Sequence, residues 1–331
     1  MAAPAGRLNL DRLNLALILA SALLAVRWPF ETLLLAYAVL GPLHYLTEIS
    51  WLHDRRYFLP RKHDVWPLLL GGTALILAVA TVAAARKTPL RLAIEHGALF
   101  ALFGFALVMV LTPRWRTRLL ALLVLVPACA ALARVDGFAT SLAGYLPTVI
   151  HVYVFTGLFM LVGTLRRPSR DSRAAMAAYV LCPLLCWWAP LAWSAPASAW
   201  AGNAFTGTLS SISRLILDGA GHALADAALL TDPAAILVAR VLALAYLYHY
   251  LNWFSKVEVI GWARMSPLRG AVIGAAWIGA SALYFRDYLL GFTVLLLLSF
   301  LHVVLEFPLN HRSFRELGER LFSGGETRTP G

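Results

Sequence analysis

Long apolar segments separated by short basic connections constrain this chain more than any other feature of its sequence. Of its 331 residues, 60% are hydrophobic and only 14% are charged, whereas a soluble domain carries about 25% charged residues. A membrane-spanning helix needs about 20 consecutive apolar residues. The sequence therefore predicts an all-α, polytopic transmembrane helix bundle. The apolar segments are 10–26, 30–52, 65–85, 91–112, 118–134, 141–165, 174–193, 236–254, 270–285 and 288–308.

The basic residues predict how this bundle is oriented. With the N-terminus in the cytoplasm, 20 of the 28 Lys and Arg residues fall in cytoplasmic connections and 8 on the opposite side. Cytoplasmic loops of membrane proteins are enriched in Lys and Arg, so the distribution favours about ten spans with both termini cytoplasmic. The same clusters explain the net charge of +11, which therefore gives no indication of nucleic-acid binding. We expect a multi-pass protein of the inner (plasma) membrane of a cell.

The polar segments suggest one membrane domain and a tail. Residues 1–311 are predicted to form a single transmembrane domain, in which 194–235 is a long outer loop. Within that loop, 209–229 has the spacing of an amphipathic, interfacial helix. Two aspartates and a histidine recur there at four-residue intervals, which fits a solvated face or a metal site. The charged residues 312–331 are predicted to be a disordered cytoplasmic tail.

Three stretches place histidines inside apolar segments. His44 is followed four residues later by Glu48, so both side chains share one helix face. The segment near the C-terminus repeats this spacing with His302 and Glu306, and His249 lies between two tyrosines in a third stretch. Ionisable side chains are costly in lipid and are usually functional there. The three stretches are therefore expected to build one site.

These histidines are predicted to lie at nearly the same depth in the membrane. Their spans all run toward the cytoplasm, and each histidine precedes the inner end of its span by a depth of about 8–12 Å, at 1.5 Å per residue. Imidazole and carboxylate groups with open coordination positions are the ligand set of non-haem iron. The predicted metal ligands are His44, Glu48, His249, His302 and Glu306.

Other polar residues near these positions are predicted to assist the ligands. Tyr45 and Tyr250 flank the histidines and are candidate catalytic residues that orient ligands or border a lipophilic substrate, although tyrosines also form belts at any membrane interface. A supporting role outside the ligand set is considered for His53, Asn252, His151 and His311.

Some of these stretches resemble a known family. Gly41-Pro42-Leu43-His44, with an acid four residues later, and Leu301-His302-Val303-Val304-Leu305-Glu306-Phe307 resemble histidine boxes of the bacterial Brp/Blh family of β-carotene-cleaving dioxygenases. Tyr248-His249-Tyr250 is similar in position to that family's penultimate box. The resemblance implies a bundle of membrane helices with histidine-bound Fe²⁺ that splits β-carotene with O₂. Carried over, His44, His249 and His302 would be the iron ligands.

The leading hypothesis is a membrane-embedded non-haem iron oxygenase or oxidoreductase, with a His/Glu metal site near the cytoplasmic leaflet. Its partners would be a lipophilic substrate, O₂ and the bilayer, and carotenoid cleavage is the candidate reaction. Intramembrane His and Glu pairs also relay protons in ion-coupled transporters, and paired histidines on facing helices bind haem in cytochromes. A glycosyl- or acyltransferase with His53 and Asp54 at the cytoplasmic face is a further alternative.

Overall fold

The chain folds into helices joined mostly by short connections, in a computed structural model that describes residues 10–82, 89–135, 144–206, 208–261 and 263–322. We number the α-helices in chain order, treating continuous runs of helical turns as one helix. They are α1 Leu10–Arg27, α2 Pro29–Asp54, α3 Trp66–Val82, α4 Pro89–Leu111, α5 Trp115–Leu132, α6 Leu146–Arg166, α7 Arg170–Trp188, α8 Ala199–Thr206, α9 Ser210–Gly219, α10 Pro233–Ser255, α11 Val257–Ile260, α12 Pro267–Arg286 and α13 Tyr288–Phe322.

The lengths and hydropathies of these helices are those of a membrane protein. Within the described ranges, six helices are long and apolar enough to cross a bilayer, namely α2, α5, α6, α10, α12 and α13, and no strand is present. The all-helical class expected from the sequence is therefore observed. Each of the ten apolar segments coincides with a helix, the remaining four being α1, α3, α4 and α7. Ten spans with cytoplasmic termini stays a prediction.

Local sequence determines where several helices begin. Ser169, Asp232 and Ser266 are the N-caps of α7, α10 and α12, and their side chains accept hydrogen bonds from backbone N–H groups of the first turn. Pro233 and Pro267 follow two of these caps, at a position where the N–H that proline lacks has no helical partner anyway. The start of α10, which carries His249, is thus fixed by its own sequence.

Four helices meet between two apolar clusters. The first cluster lies among α1, α2, α7 and α10, and the second lies where α13 packs against α3, α4 and the C-terminal half of α2. Helix α6 contacts both α10 and α13. Because α2 and α6 each contact α10 and α13, the four helices enclose a common space.

Two of these four helices contain π-helical turns. One is Ala36–Leu40, which immediately precedes Gly41 in α2, and the other is Leu146–Phe155, which forms the first part of α6 and includes His151. π-helical turns are rare and occur often at functional sites. They change the register of the residues around them, so regular helical spacing from the sequence does not give the direction of the His151 side chain.

The loop 194–235 contains short helices, and the helix predicted over 209–229 ends early. Helix α9 stops at Gly219 because Gly221 adopts a positive φ of 76°. The N–H of Gly221 then donates to the Asp218 carbonyl, and the N–H of His222 donates to the Leu217 carbonyl. This pair of bonds is a Schellman motif, in which glycine is favoured because it has no Cβ.

The polar residues of that loop pair with one another. Asp226 forms an ion pair with Arg214, and Nε2 of His222 lies 3.2 Å from Oδ1 of Asp232. Asp218, His222 and Asp226 therefore do not share one helix face. They form no metal-ligand group among the residues described, so the metal alternative for this loop is not supported.

Arg240 is fully buried in α10 and holds the loop against the bundle. Its guanidinium donates hydrogen bonds to the carbonyl groups of Cys186, Ala189 and Pro190, and to Oγ of Ser194. Some of these carbonyls belong to the end of α7, where no helical N–H is left to pair with them. A buried cation thus caps the C-terminus of one helix from the middle of another.

Helix α13 continues beyond residue 311, where the disordered tail was predicted to begin. It runs to Phe322, and its last turns carry charge pairs at four-residue spacing, Arg315 with Glu319 and Glu316 with Arg320. Glu316 also forms an ion pair with Arg166 of α6. These contacts stabilise the helix outside the apolar segment. Residues 323–331 of the predicted tail lie outside the described residues.

Candidate metal centre

Four histidines, one from each of α2, α6, α10 and α13, converge in the space between the helices. His44, His151, His249 and His302 are all buried, and one ring nitrogen of each lies within 4.8 Å of those of the other three. Among the described residues, this group contains no other type of side chain. The structure thus brings together the three histidines predicted from the sequence and adds His151.

The two shortest distances within the cluster match those between neighbouring ligands of one ion. Nε2 of His44 lies 3.0 Å from Nε2 of His249, and Nε2 of His302 lies 2.9 Å from Nε2 of His151. A metal held at about 2.0–2.1 Å by imidazole nitrogens keeps neighbouring ligand atoms roughly 3 Å apart. The rings of His44 and His249 cross at 80°, with centroids 4.6 Å apart, so their edges meet at the centre.

One ring is hydrogen bonded, and a second is contacted by a carboxylate, on the side facing away from the centre. Oγ1 of Thr156 lies 2.7 Å from Nδ1 of His249, and Oε2 of Glu306 lies 3.2 Å from Nδ1 of His151. A proton on Nδ1 of His249 would be donated to Thr156 and would leave Nε2 free to bind a metal. Partners of this kind fix the tautomer and orientation of metal-binding histidines.

The two predicted carboxylate ligands occupy different positions relative to the cluster. Oε2 of Glu48 lies 3.1 Å from Nε2 of His44, the nitrogen that faces the centre. Glu306 instead contacts the far nitrogen of His151. Both carboxyl groups are buried. Glu48 is therefore close enough to join the ligand set, whereas Glu306 lies beside the far nitrogen of His151. The group of converging ligand atoms contains neither carboxylate, and their predicted role as ligands stays a prediction.

The two tyrosines singled out from the sequence form a buried pair beside the histidines. The hydroxyl groups of Tyr45 and Tyr250 are 2.7 Å apart, and the Tyr45 ring stacks on His302 with a centroid distance of 4.4 Å. Gly41 makes room for this pair, because a Cβ there would lie 3.0 Å from the Tyr45 hydroxyl oxygen. This hydrogen-bonded pair joins α2 to α10 on one side of the histidine cluster.

The remaining predicted supporting residues are divided between the cluster and its surroundings. Asn252 is buried and lines a cavity that reaches the cluster. His311 is bound elsewhere, with Nε2 2.8 Å from the Phe103 carbonyl oxygen, and exposed His53 faces the Tyr57 hydroxyl at 3.4 Å. The structure therefore moves His151 into the ligand group and leaves His53 and His311 outside it.

A cavity of about 400 Å³ leads from the histidines to a group of cations. Lys256, which follows the last residue of α10, lines it together with Arg55 and Arg166. Burial lowers the pKa of the Lys256 amine to about 8. A larger cavity of about 980 Å³ lies between α1 and α7 and does not reach the histidines.

Sequence reasoning missed Thr156 and underestimated His151. Counting back from the predicted inner end of its span puts His151 nearer the outer half of the membrane than the other three histidines, whereas the structure brings its ring among theirs. The signal that could have corrected this is the Pro147 four residues before it, since proline interrupts regular helical hydrogen bonding. Thr156 carries no distinguishing pattern.

Comparison with protein-family models, with curated proteins and with solved structures finds no match to this chain.

Proposed function

We propose that His44, His151, His249 and His302 bind one transition-metal ion and that the protein is a membrane-embedded metal-dependent oxygenase. The observation that carries this proposal is the convergence of four buried ring nitrogens within 4.8 Å. Four imidazoles suit iron, copper, nickel and zinc. We propose Fe²⁺, because imidazole ligands with carboxylate nearby and open positions are the arrangement used by non-haem iron oxygenases.

Ferrous iron at this position would supply the capacity to activate O₂. The chain's own residues would prepare the site for it. Thr156 and Glu306 would hold two rings with their Nε2 atoms toward the centre, and Glu48 would add negative charge beside His44. The stacked and buried aromatic rings of Tyr45 and Tyr250 would exclude water from one side.

The substrate is proposed to be lipophilic. The site lies inside a bundle of apolar helices, so a molecule dissolved in the bilayer can approach it without first entering water. The resemblance of the His44 and His302 stretches to the Brp/Blh boxes makes oxidative cleavage of a carotenoid-like polyene the candidate reaction. The orientation of the apolar spans would place the site toward the cytoplasmic leaflet of the inner membrane.

A proton-relaying carrier is the second candidate function, and one observation favours it. The 2.9 and 3.0 Å distances between paired Nε2 atoms are also those of N–H···N hydrogen bonds, and Glu48 and Glu306 extend the chain of contacts. A haem site is less compatible with the arrangement. Two axial histidines must flank a flat macrocycle, whereas here four rings fill the same space.

Oxygen consumption tests the proposed activity. Purified protein in lipid nanodiscs, reconstituted with Fe²⁺, would be given ¹⁸O₂ and a set of lipophilic substrates that includes β-carotene. We expect oxygen uptake with ¹⁸O in the products, lost in His44→Ala and retained in the exposed-residue control His63→Ala. Full metal occupancy without turnover of any substrate would contradict the oxygenase while leaving the metal site intact.

A further inference from the structure

The cavity that reaches the histidines has cations at its other end, and its walls between the two are largely apolar, with Glu48 and Asn252 as polar exceptions. At its inner end lie His44, His249 and Glu306, and its outer end is lined by Arg55, Arg166 and Lys256. Its middle walls include Trp51, Phe159, Trp253 and Ile260. Pockets that enclose a ligand usually measure about 300–1,000 Å³, so about 400 Å³ suits a single chain rather than a two-chain lipid.

The carboxylates next to the outer end do not neutralise its cations fully. Asp54 is engaged by Arg269, whose Nη1 lies 2.8 and 2.7 Å from its two carboxylate oxygens. Glu316 is paired with Arg166. Arg55 and Lys256 have no carboxylate partner within the part of the chain that the structure describes. The outer end thus carries unpaired positive charge.

The position of Arg55 is fixed without a carboxylate. Its guanidinium lies 5.3 Å from the centroid of the Trp51 ring, and Nη2 donates to the Ile260 carbonyl at 3.3 Å. The remaining donors of this guanidinium stay available. A fixed cation beside a second, unpaired one is suited to an oxyanion.

We propose that the substrate of this site is a long-chain lipophilic carboxylate, whose head group binds Lys256 and Arg55 and whose apolar chain extends along the cavity to the histidines. The inference rests on the proposed function, since it assumes that the reacting carbon lies at the histidine cluster. Lys256 follows His249 by seven residues along α10 and its cap, which corresponds to about 10 Å of helix. The reacting carbon is therefore placed about 10 Å from the carboxylate.

Paired ligands that differ only in head group test this proposal. Binding of a long-chain fatty acid and of the alcohol with the same chain would be measured to the full-length protein in nanodiscs of zwitterionic lipid. We expect the acid to bind about tenfold more tightly than the alcohol, and Lys256→Met to abolish this preference. Lys256→Arg should keep it, and so should Lys62→Met, which removes a cation from an exposed loop.

Three outcomes would overturn the assignment. Equal binding of acid and alcohol to the wild-type protein would show that no anion site is present, and a preference that survives Lys256→Met would place the anion elsewhere. Displacement of the acid by an equal amount of an anionic phospholipid, added to the zwitterionic nanodiscs, would identify a bilayer lipid as the ligand. Metal content is measured on each sample. Wild-type protein that binds its full metal content but shows no preference for the acid would refute this inference and leave the metal site intact.

Discussion

The hydroxyl group of Thr156, on α6, holds the ring of His249 on the neighbouring helix α10. The metal-binding strength of an imidazole depends on what holds the nitrogen that does not bind the metal. Of the four Nδ1 atoms, that of His249 has a hydroxyl group at 2.7 Å, whereas those of His44, His151 and His302 have no hydrogen-bond partner among the described residues. The ring of His249 is thus the one fixed most directly by a side chain.

The Thr156→Val variant keeps the shape of the side chain and removes the hydroxyl. We expect metal affinity, measured by competition with a chelator, to fall by about 10–100-fold, as when such supporting contacts are removed from metal sites elsewhere. Thr148→Val is the matched control, because the Thr148 hydroxyl donates only to the Gly144 and Tyr145 carbonyl groups of its own helix. Equal affinities in both variants would show that Thr156 does not position His249.

At the scale of helices, Arg240 links α10 to the end of α7 and to the loop that follows it. A charged hydrogen bond contributes about 1.5–3 kcal/mol, and removal of a buried charged group leaves its partners unpaired. The sequence places Arg240 among the cations of the outer side, but the structure buries it completely. Hydropathy alone does not distinguish a cation at the membrane surface from one that caps a helix inside the bundle.

Arg240→Met should destabilise the fold without touching the histidine cluster. We expect the free energy of unfolding, measured in mixed detergent and denaturing surfactant, to fall by at least about 3 kcal/mol because several carbonyl groups lose their donor. Arg286→Met is the control, since Arg286 is exposed in the last turn of α12. A loss of stability no larger than in that control would refute the structural role of Arg240.

The residues of the site also show which contacts sequence can predict. His44, His249 and His302 could be predicted to approach one another because apolar length and basic flanks set the direction of each span. His151 could not be placed by counting residues alone, since α6 extends for several turns beyond it and begins with a π-helical segment. The depth of a residue counted from the end of its own helix is comparable between helices only when they end at the same level.

Across the whole molecule, the observed helices agree with those predicted from the sequence more closely than the observed connections do. Within the described residues, each of the ten predicted segments coincides with a helix, since continuous apolar sequence in lipid requires internally paired backbone groups. The end of α9 and the extension of α13 follow from a glycine with positive φ and from charge pairs along a helix. Both are local interactions that average hydropathy does not report.

The ten-span topology predicts that the two loops containing Lys62 and Asp218 lie on opposite sides of the membrane. Cysteine placed at either exposed position should react with a membrane-impermeant maleimide from one side only, with Lys62→Cys reacting from the cytoplasm and Asp218→Cys from outside. The native thiols of Cys129, Cys182 and Cys186 are buried and should not react. Labelling of both positions from one side would require a different number of spans.

Metal content tests the central claim most directly. Wild-type protein and single His→Ala variants would be reconstituted anaerobically with Fe²⁺ and analysed by mass spectrometry of the metal, with folding checked by circular dichroism. We expect about one metal ion per chain in the wild type and in the controls His53→Ala and His63→Ala, and a large loss in the variants of His44, His151, His249 and His302. A folded wild-type protein without metal, or full occupancy in His151→Ala, would contradict the four-histidine site.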